Sequence, residues 1–167
     1  MESTGILGRL DGRAAHTWLR ERDVDVLLCA ELHANPALRR HFLQGDDPRL
    51  APVFRNAIVS FADVDGEGDL VVDFDAREGR LLLLVENKID APFQHRQIER
   101  YLARAHRWSC EAGVLCARAV LLAPAAYIAA AGPRGIAALS YVSVIERLRD
   151  CDDPRSRFLA TTLEEGV

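Results

Sequence analysis

The pattern of apolar and polar positions changes period along this chain, and each change marks an element. From residue 11 to 34 the apolar positions recur at helical spacing, with a break admitted at Glu21 to Asp23. Val24, Leu27, Leu28 and Glu31 follow the i, i+3, i+4, i+7 rule, which sets Glu31 within the apolar stripe. Asn35-Pro36 stops this helix and starts another running to Gly45, Asn as cap and Pro in the first turn, with Leu38 and Phe42 on its apolar side. After a loop, Val53 to Ala62 reads as a strand centred on Ile58 and Val59. Between Gly68 and Lys88 two short apolar runs flank Asp75-Ala76-Arg77-Glu78-Gly79, the pattern of a β-hairpin whose second strand is buried on both faces. A helix follows from Pro92 to about Trp108, with Asp90 as its cap and Ile98, Leu102 and Ala105 as its stripe. Ala119 to Ala123 is a short buried strand ended by Pro124, so the strand, helix, strand crossover should be parallel and right-handed. Short helices are expected over residues 125–131, 141–150 and 154–165, the second burying Val144, Ile145 and Leu148. The sum is an α/β fold, a mixed four-stranded sheet flanked by helices, in one domain.

Composition narrows the class. A chain of 167 residues, 49% hydrophobic and 28% charged, has the length and balance of a single globular domain. No apolar run is long enough to span a bilayer, and the N-terminus lacks a basic start followed by an apolar stretch. Cys29, Cys110, Cys116 and Cys151 form neither a C-x-x-C pair nor a zinc spacing, which points to buried, reduced thiols in a cytoplasmic protein. The net charge of −4 argues against sequence-blind binding of nucleic acid through bulk charge, so any such contact must be local. Between Lys88 and Arg107 five basic residues face only Asp90 and Glu99, the locally basic stretch of the chain. Its arginines, Arg96, Arg100 and Arg107, read either as a solvated helix face or as a phosphate track.

The hairpin carries the chemistry. A turn centred between Arg77 and Glu78 sets Asp69 directly opposite Glu86, and period-two alternation adds Lys88 to the same face while Asn87 points away. Two carboxylates held so close repel unless a cation neutralises them, and hard oxygen ligands on a rigid scaffold suit one or two Mg²⁺ or Mn²⁺ ions. Of the 21 basic residues, 20 are arginine and Lys88 is the single lysine. A sequence that uses arginine for simple positive charge has kept a compact ammonium at one place only, beside Glu86. The alternative is a strand-end surface lysine. Glu31 is a second oddity, since a carboxylate on a buried helical face costs several kcal/mol unless paired or bound to a charge; it either reaches the metal or sits at an edge in solvent. Two motifs mislead. Asp63-Val64-Asp65-Gly66-Glu67 imitates the start of a calcium-binding loop, but position 12 is Phe74 and strands flank it; Gly66-x-Gly68 lacks the third glycine and the helix of a dinucleotide fingerprint.

Gly68-Asp69 opening one strand, Glu86-Asn87-Lys88 ending the next, and Gln97-Ile98-Glu99-Arg100-Tyr101 on a following helix resemble the PD-(D/E)XK nuclease superfamily, in particular its uncharacterised bacterial members with E-x-K followed by Q-x-x-x-Y. The resemblance covers roughly residues 20 to 160; Gly68 replaces the proline of the name, which carries no chemistry. It implies a restriction-endonuclease-like core and metal-dependent hydrolysis of phosphodiester bonds, with DNA as the commonest substrate. It implies Asp69, Glu86 and Glu31 as metal ligands, Glu31 matching the acidic residue on the helix before the first strand. Lys88 and Gln97 join them as catalytic residues, and Lys88, Gln97, Tyr101, Arg96 and Arg100 face the nucleic acid. The competing class is a catalytically silent module that keeps this fold to bind nucleic acid or a protein partner, although such a module has no use for a repulsive carboxylate pair. The abrupt end at Val167 leaves open a longer protein of which this is the N-terminal domain; a homodimer is a separate reading of its partners.

Overall fold

A computed structural model describes residues 19–43, 50–131 and 135–167. Its elements are α1 (Glu21–Ala34), α2 (Pro36–Phe42), β1 (Val53–Asp63), β2 (Gly66–Ala76), β3 (Gly79–Asn87), α3 (Gln97–Ser109), β4 (Val114–Ala123), α4 (Ala125–Ala131), β5 (Ala137–Ser140), α5 (Tyr141–Arg149) and α6 (Pro154–Gly166). The strands form one sheet in the order β1-β2-β3-β4-β5; β1, β2 and β3 pair antiparallel, while β3, β4 and β5 run parallel. The sheet is mixed as expected, with five strands where four were anticipated. The fifth, Ala-Ala-Leu-Ser, is too short and too poor in β-branched residues to announce itself by pattern.

The hairpin adopts the anticipated register: Leu70 faces Val85, Asp73 faces Leu82 and Ala76 faces Gly79. Alternation along β3 then divides two cores. Leu81, Leu83 and Val85 join Leu70, Val72 and Phe74 against α1, α2, α5 and α6, where Leu28, Leu32, Leu148 and Leu163 are fully buried. Leu82 and Leu84 face the other way, onto Tyr101 and Ala105 of α3 and Ala117 and Ala119 of β4. Parity continues past the apolar run, so Glu86 belongs to the α3 side and Asn87 to the α1 side.

The starts of α3 and β4 differ from the sequence reading, and parts of two expected helices are not described. The described part of the first helix starts at Glu21, inside the anticipated break, and residues 11–18 and 44–45 of the expected helices lie outside the described residues. Asn35 caps α2 as expected, its Oδ1 accepting from the N–H groups of Ala37 and Leu38 at 2.9 and 3.1 Å. α3 begins at Gln97, five residues after Pro92, and Asp90 caps nothing: Arg96 takes a left-handed conformation (φ 55°) that no helix can run through. A local turn fixes the start, Gln97 N–H donating to the Gln94 carbonyl at 3.1 Å while Gln97 Oε1 accepts from Gln94 N–H at 3.0 Å. β4 starts at Val114, before the apolar run begins, because β3 offers it a partner there.

Two smaller expectations also change. Ile58 is 48% exposed because β1 is an edge strand, and Ala57 is the buried residue beside it. The four cysteines are free thiols, but Cys110 is exposed and the other three are only half-buried. Among the described residues no helix is long and apolar enough to cross a membrane.

Candidate active site

A polar cleft of about 490 Å³ opens where the N-terminus of α1, the β1–β2 turn, the end of β3 and the first turns of α3 meet. Asp69 and Glu86 both line it, as the hairpin register requires. Glu86 is 3% exposed, and two donors converge on its Oε1: Lys88 Nζ at 3.1 Å and the Gln97 side-chain amide through a short hydrogen bond. Asp69 is half-buried; its Oδ2 accepts from Asn87 N–H at 2.9 Å, and its own N–H donates to the Tyr101 hydroxyl at 3.3 Å. The loop before α3 delivers Gln97 and one further helical turn delivers Tyr101, which is why a Q-x-x-x-Y spacing presents both to one strand end.

The electrostatics follow from crowding. Burial, and then the neighbouring Glu86 charge, push the Asp69 carboxyl up to about 7. Burial pulls the Lys88 ammonium down, but Glu86, Glu21 and Asp69 outweigh it and hold the group above its ordinary value. Tyr101 is pushed above the usual phenol range by burial and by the same carboxylates, so it stays a neutral hydroxyl.

Sequence reasoning missed two carboxylates. Glu21, the first residue of α1, lines the cleft; its Oε2 lies 3.4 Å from Lys88 Nζ and its Oε1 accepts from Ile89 N–H at 3.0 Å. Asp25, one turn on and 3% exposed, accepts from Asn87 Nδ2 at 2.8 Å, and burial raises its carboxyl to about 6. Asn87 Nδ2 also donates to the Glu21 carbonyl at 2.9 Å, and the Tyr141 hydroxyl donates to Asn87 Oδ1. Asn87 points away from the cleft, as expected, and in doing so fastens α1 to the end of β3. The available signal was the i, i+4, i+7, i+11 row Glu21, Asp25, Leu28, Leu32, a buried face whose first two positions are acids.

The structure does not bring Glu31 to the cleft. Its carboxylate is 1% exposed, yet Arg155 Nε (2.9 Å), Ser156 Oγ (2.6 Å) and Asn35 Nδ2 (2.8 Å) satisfy it at the far end of α1, ten residues and about 15 Å from Glu21. The compensating charge is an arginine on α6. Arg96 also stands outside the cleft, beside His95 and Glu99. Arg100 is on the cleft rim, its guanidinium donating to the His95 carbonyl at 2.6 Å and to Gln94 Oε1 at 3.2 Å. Asp63 and Asp65 of the calcium-loop look-alike are engaged by Arg104 and Arg107, and Asp63 Oδ2 also accepts from Trp108 Nε1 at 3.0 Å.

Among the described residues no three His, Cys, Asp or Glu side chains converge as a ready-made metal site. The donor set nevertheless fits Mg²⁺ or Mn²⁺. Magnesium keeps several waters and is held through one or two carboxylates together with substrate phosphates, seldom by an all-protein cage. Asp69 and Glu86 supply two hard oxygen donors. The cleft is lined by Glu21, Asp65, Glu67, Asp69 and Glu86 against Lys88, Arg100 and Arg104, so it carries excess negative charge before any polyanion enters. A divalent cation relieves both the raised Asp69 and that excess.

No family model matches the chain, and no curated protein matches it. Among solved structures the chain is similar to the MspJI restriction endonuclease in complex with a 27-mer oligonucleotide, at 13% identity and a TM-score of 0.45. The match covers 87% of this chain and 32% of that one, so the chain spans about a third of that neighbour's length.

Proposed function

We propose that the chain is a Mg²⁺- or Mn²⁺-dependent nuclease that hydrolyses phosphodiester bonds in nucleic acid, with DNA favoured over RNA by the motif resemblance. One observation carries the reading: the single lysine, buried, lies 3.1 Å from a buried glutamate that the hairpin sets opposite an aspartate, all three in one polar cleft. Structural roles do not account for that arrangement, since a fold gains nothing from a carboxylate pair that raises its own protonation.

Asp69 and Glu86 would hold the ion, and Glu21, not Glu31, is the acidic residue of the first helix placed to help. When bound, the ion supplies a Lewis acid that polarises the phosphate and lowers the pKa of an attacking water. Lys88 donates to the phosphoryl oxygens on which charge builds, pre-oriented by Glu86 and Glu21 on either side of its ammonium. Gln97 fixes the Glu86 carboxylate through Oε1, which sets the direction of its remaining lone pairs. Tyr101, kept neutral, holds the strand that carries Asp69 through its main-chain N–H. Arg100 stands at the rim, where a backbone phosphate would pass.

Linear, circular and branched DNA and single-stranded RNA, each incubated with Mg²⁺, Mn²⁺ or EDTA, test the reading. Cleavage that needs the metal and disappears in Asp69→Asn and Glu86→Gln is expected. Metal-independent binding with no cleavage of any substrate would replace the enzyme by the silent module.

A further inference from the structure

The cleft is also lined by an arginine whose hydrogen-bonding capacity the protein uses only in part. Arg104 is 2% exposed. Its guanidinium lies against two aromatic rings, 5.1 Å from the Phe61 centroid and 5.5 Å from that of Tyr101. Nη2 is occupied, donating to the Gly66 carbonyl at 2.9 Å and lying 3.2 Å from Asp63 Oδ1. Nε and Nη1 have no hydrogen-bond partner; Asp65 Oδ2 approaches Nε only to 3.9 Å, an ion-pair distance too long for a hydrogen bond. Unmet buried donors on a charged group are costly, and such a group is kept where something completes it.

Its surroundings show what that is. Nη1 lies 2.9 Å from where a Cβ on Gly68 would be, so the guanidinium presses on the residue just before Asp69. Tyr101 touches both centres, its ring under Arg104 and its hydroxyl on Asp69 N–H. The Nε–Nη2 edge of this guanidinium keeps one unused donor, Nε, beside the carboxylate read above as a metal ligand, and a charged donor so placed suits a phosphate oxygen. The cover is removable: Asp65 sits on a β1–β2 turn whose tip, Val64, is 87% exposed. Its neighbour Arg107 pairs with the same acid, so two carboxylates of the turn, Asp63 and Asp65, stand on two arginines.

We propose that Arg104 is a phosphate-binding residue of the cleft, its Nε donating to an oxygen of a backbone phosphate next to the one at Asp69 and Glu86, and that this phosphate displaces Asp65. The proposal rests on the reading of the cleft as a nucleic-acid site, but not on cleavage.

Binding of a fluorescent oligonucleotide without terminal phosphates, followed by anisotropy in EDTA across a salt series, tests it. Asp65→Asn removes the competing charge and tightens binding about two- to five-fold, the range of a partly exposed ion pair. Arg104→Gln weakens binding and lowers the slope of log K against log salt by about 0.7 to 0.9, one phosphate contact. In the double variant the gain from Asp65→Asn vanishes, a coupling that a merely structural arginine would not show. Unchanged affinity in Asp65→Asn overturns the proposal, and that arm stands even if Arg104→Gln fails to fold. If only a 5′-phosphorylated oligonucleotide or inorganic phosphate shows the coupling, the ligand is a terminal phosphate and the backbone assignment is overturned. The coupling without any cleavage supports the proposal while removing the nuclease reading; cleavage without the coupling does the reverse.

Discussion

Lys88 shows how much a single position can state in sequence. In a chain with 20 arginines, one lysine marks a place where a compact ammonium is needed, and the structure buries it between Glu86 and Glu21 at 3.1 and 3.4 Å. A guanidinium keeps the charge there but spreads it over a wide planar fork, and its donors diverge from the line on which the ammonium points. Lys88→Arg is therefore expected to lower the cleavage rate by about 10² to 10³, the cost of one transition-state donor, with an unchanged melting temperature. Single-turnover kinetics beside a thermal melt check this, and full activity would remove Lys88 from the mechanism. Glu21 was not legible in the same way, because one glutamate among many acids carries no compositional signal. Its role depends on which end of α1 meets the hairpin.

At the scale of elements, the site residues of the hairpin were readable and those of α1 were not, although α1 was expected as a helix. Strand register has period two, so a slip of one residue would turn Glu86 into the face of Leu81, Leu83 and Val85; burial of the apolar run therefore fixes the charged end as well. A helix offers no such constraint along its axis. Glu31 and the Glu21–Asp25 pair lie on the same buried face, and the choice between them was made by α6, whose Arg155 and Ser156 are more than 120 positions away from Glu31 in the chain. The carboxylate is thus a clasp between α1, Asn35 at the start of α2, and α6. Glu31→Gln is expected to destabilise by about 1 to 3 kcal/mol, the cost of leaving buried donors unpaired, and to lower the melting temperature while cleavage per folded molecule stays at the parent level. The opposite pattern, full stability with lost activity, would return Glu31 to the catalytic set. The fifth strand and the late start of α3 escaped for a related reason: a four-residue strand and a left-handed Arg96 are decided by neighbours, not by local pattern.

For the whole molecule, the balance of charge links stability to the proposed ion. The folded chain holds Asp69 at about 7 and Asp25 at about 6, against 3.8 for a free aspartate, with burial as the first cause in both. Between about pH 4 and pH 7 the folded state therefore carries protons that the unfolded state has lost, and the sign of linkage is fixed: the stability these groups contribute is complete below the unfolded pKa and is lost as pH rises through the folded one. Without metal, the melting temperature should fall across that window. The proposed divalent ion would bind the deprotonated carboxylates of the native state and so restore stability where that loss is greatest, and Mn²⁺ should raise the melting temperature more at about pH 8 than at about pH 5. Asp69→Asn imitates the protonated form; it should melt higher than the parent at about pH 8 in EDTA and respond little to Mn²⁺. Thermal melts of both proteins over the pH series, with and without Mn²⁺, decide the matter: a Mn²⁺ shift equal at every pH, or equal in Asp69→Asn, would mean that the ion binds elsewhere and that the raised carboxyl at the hairpin's end is not its ligand.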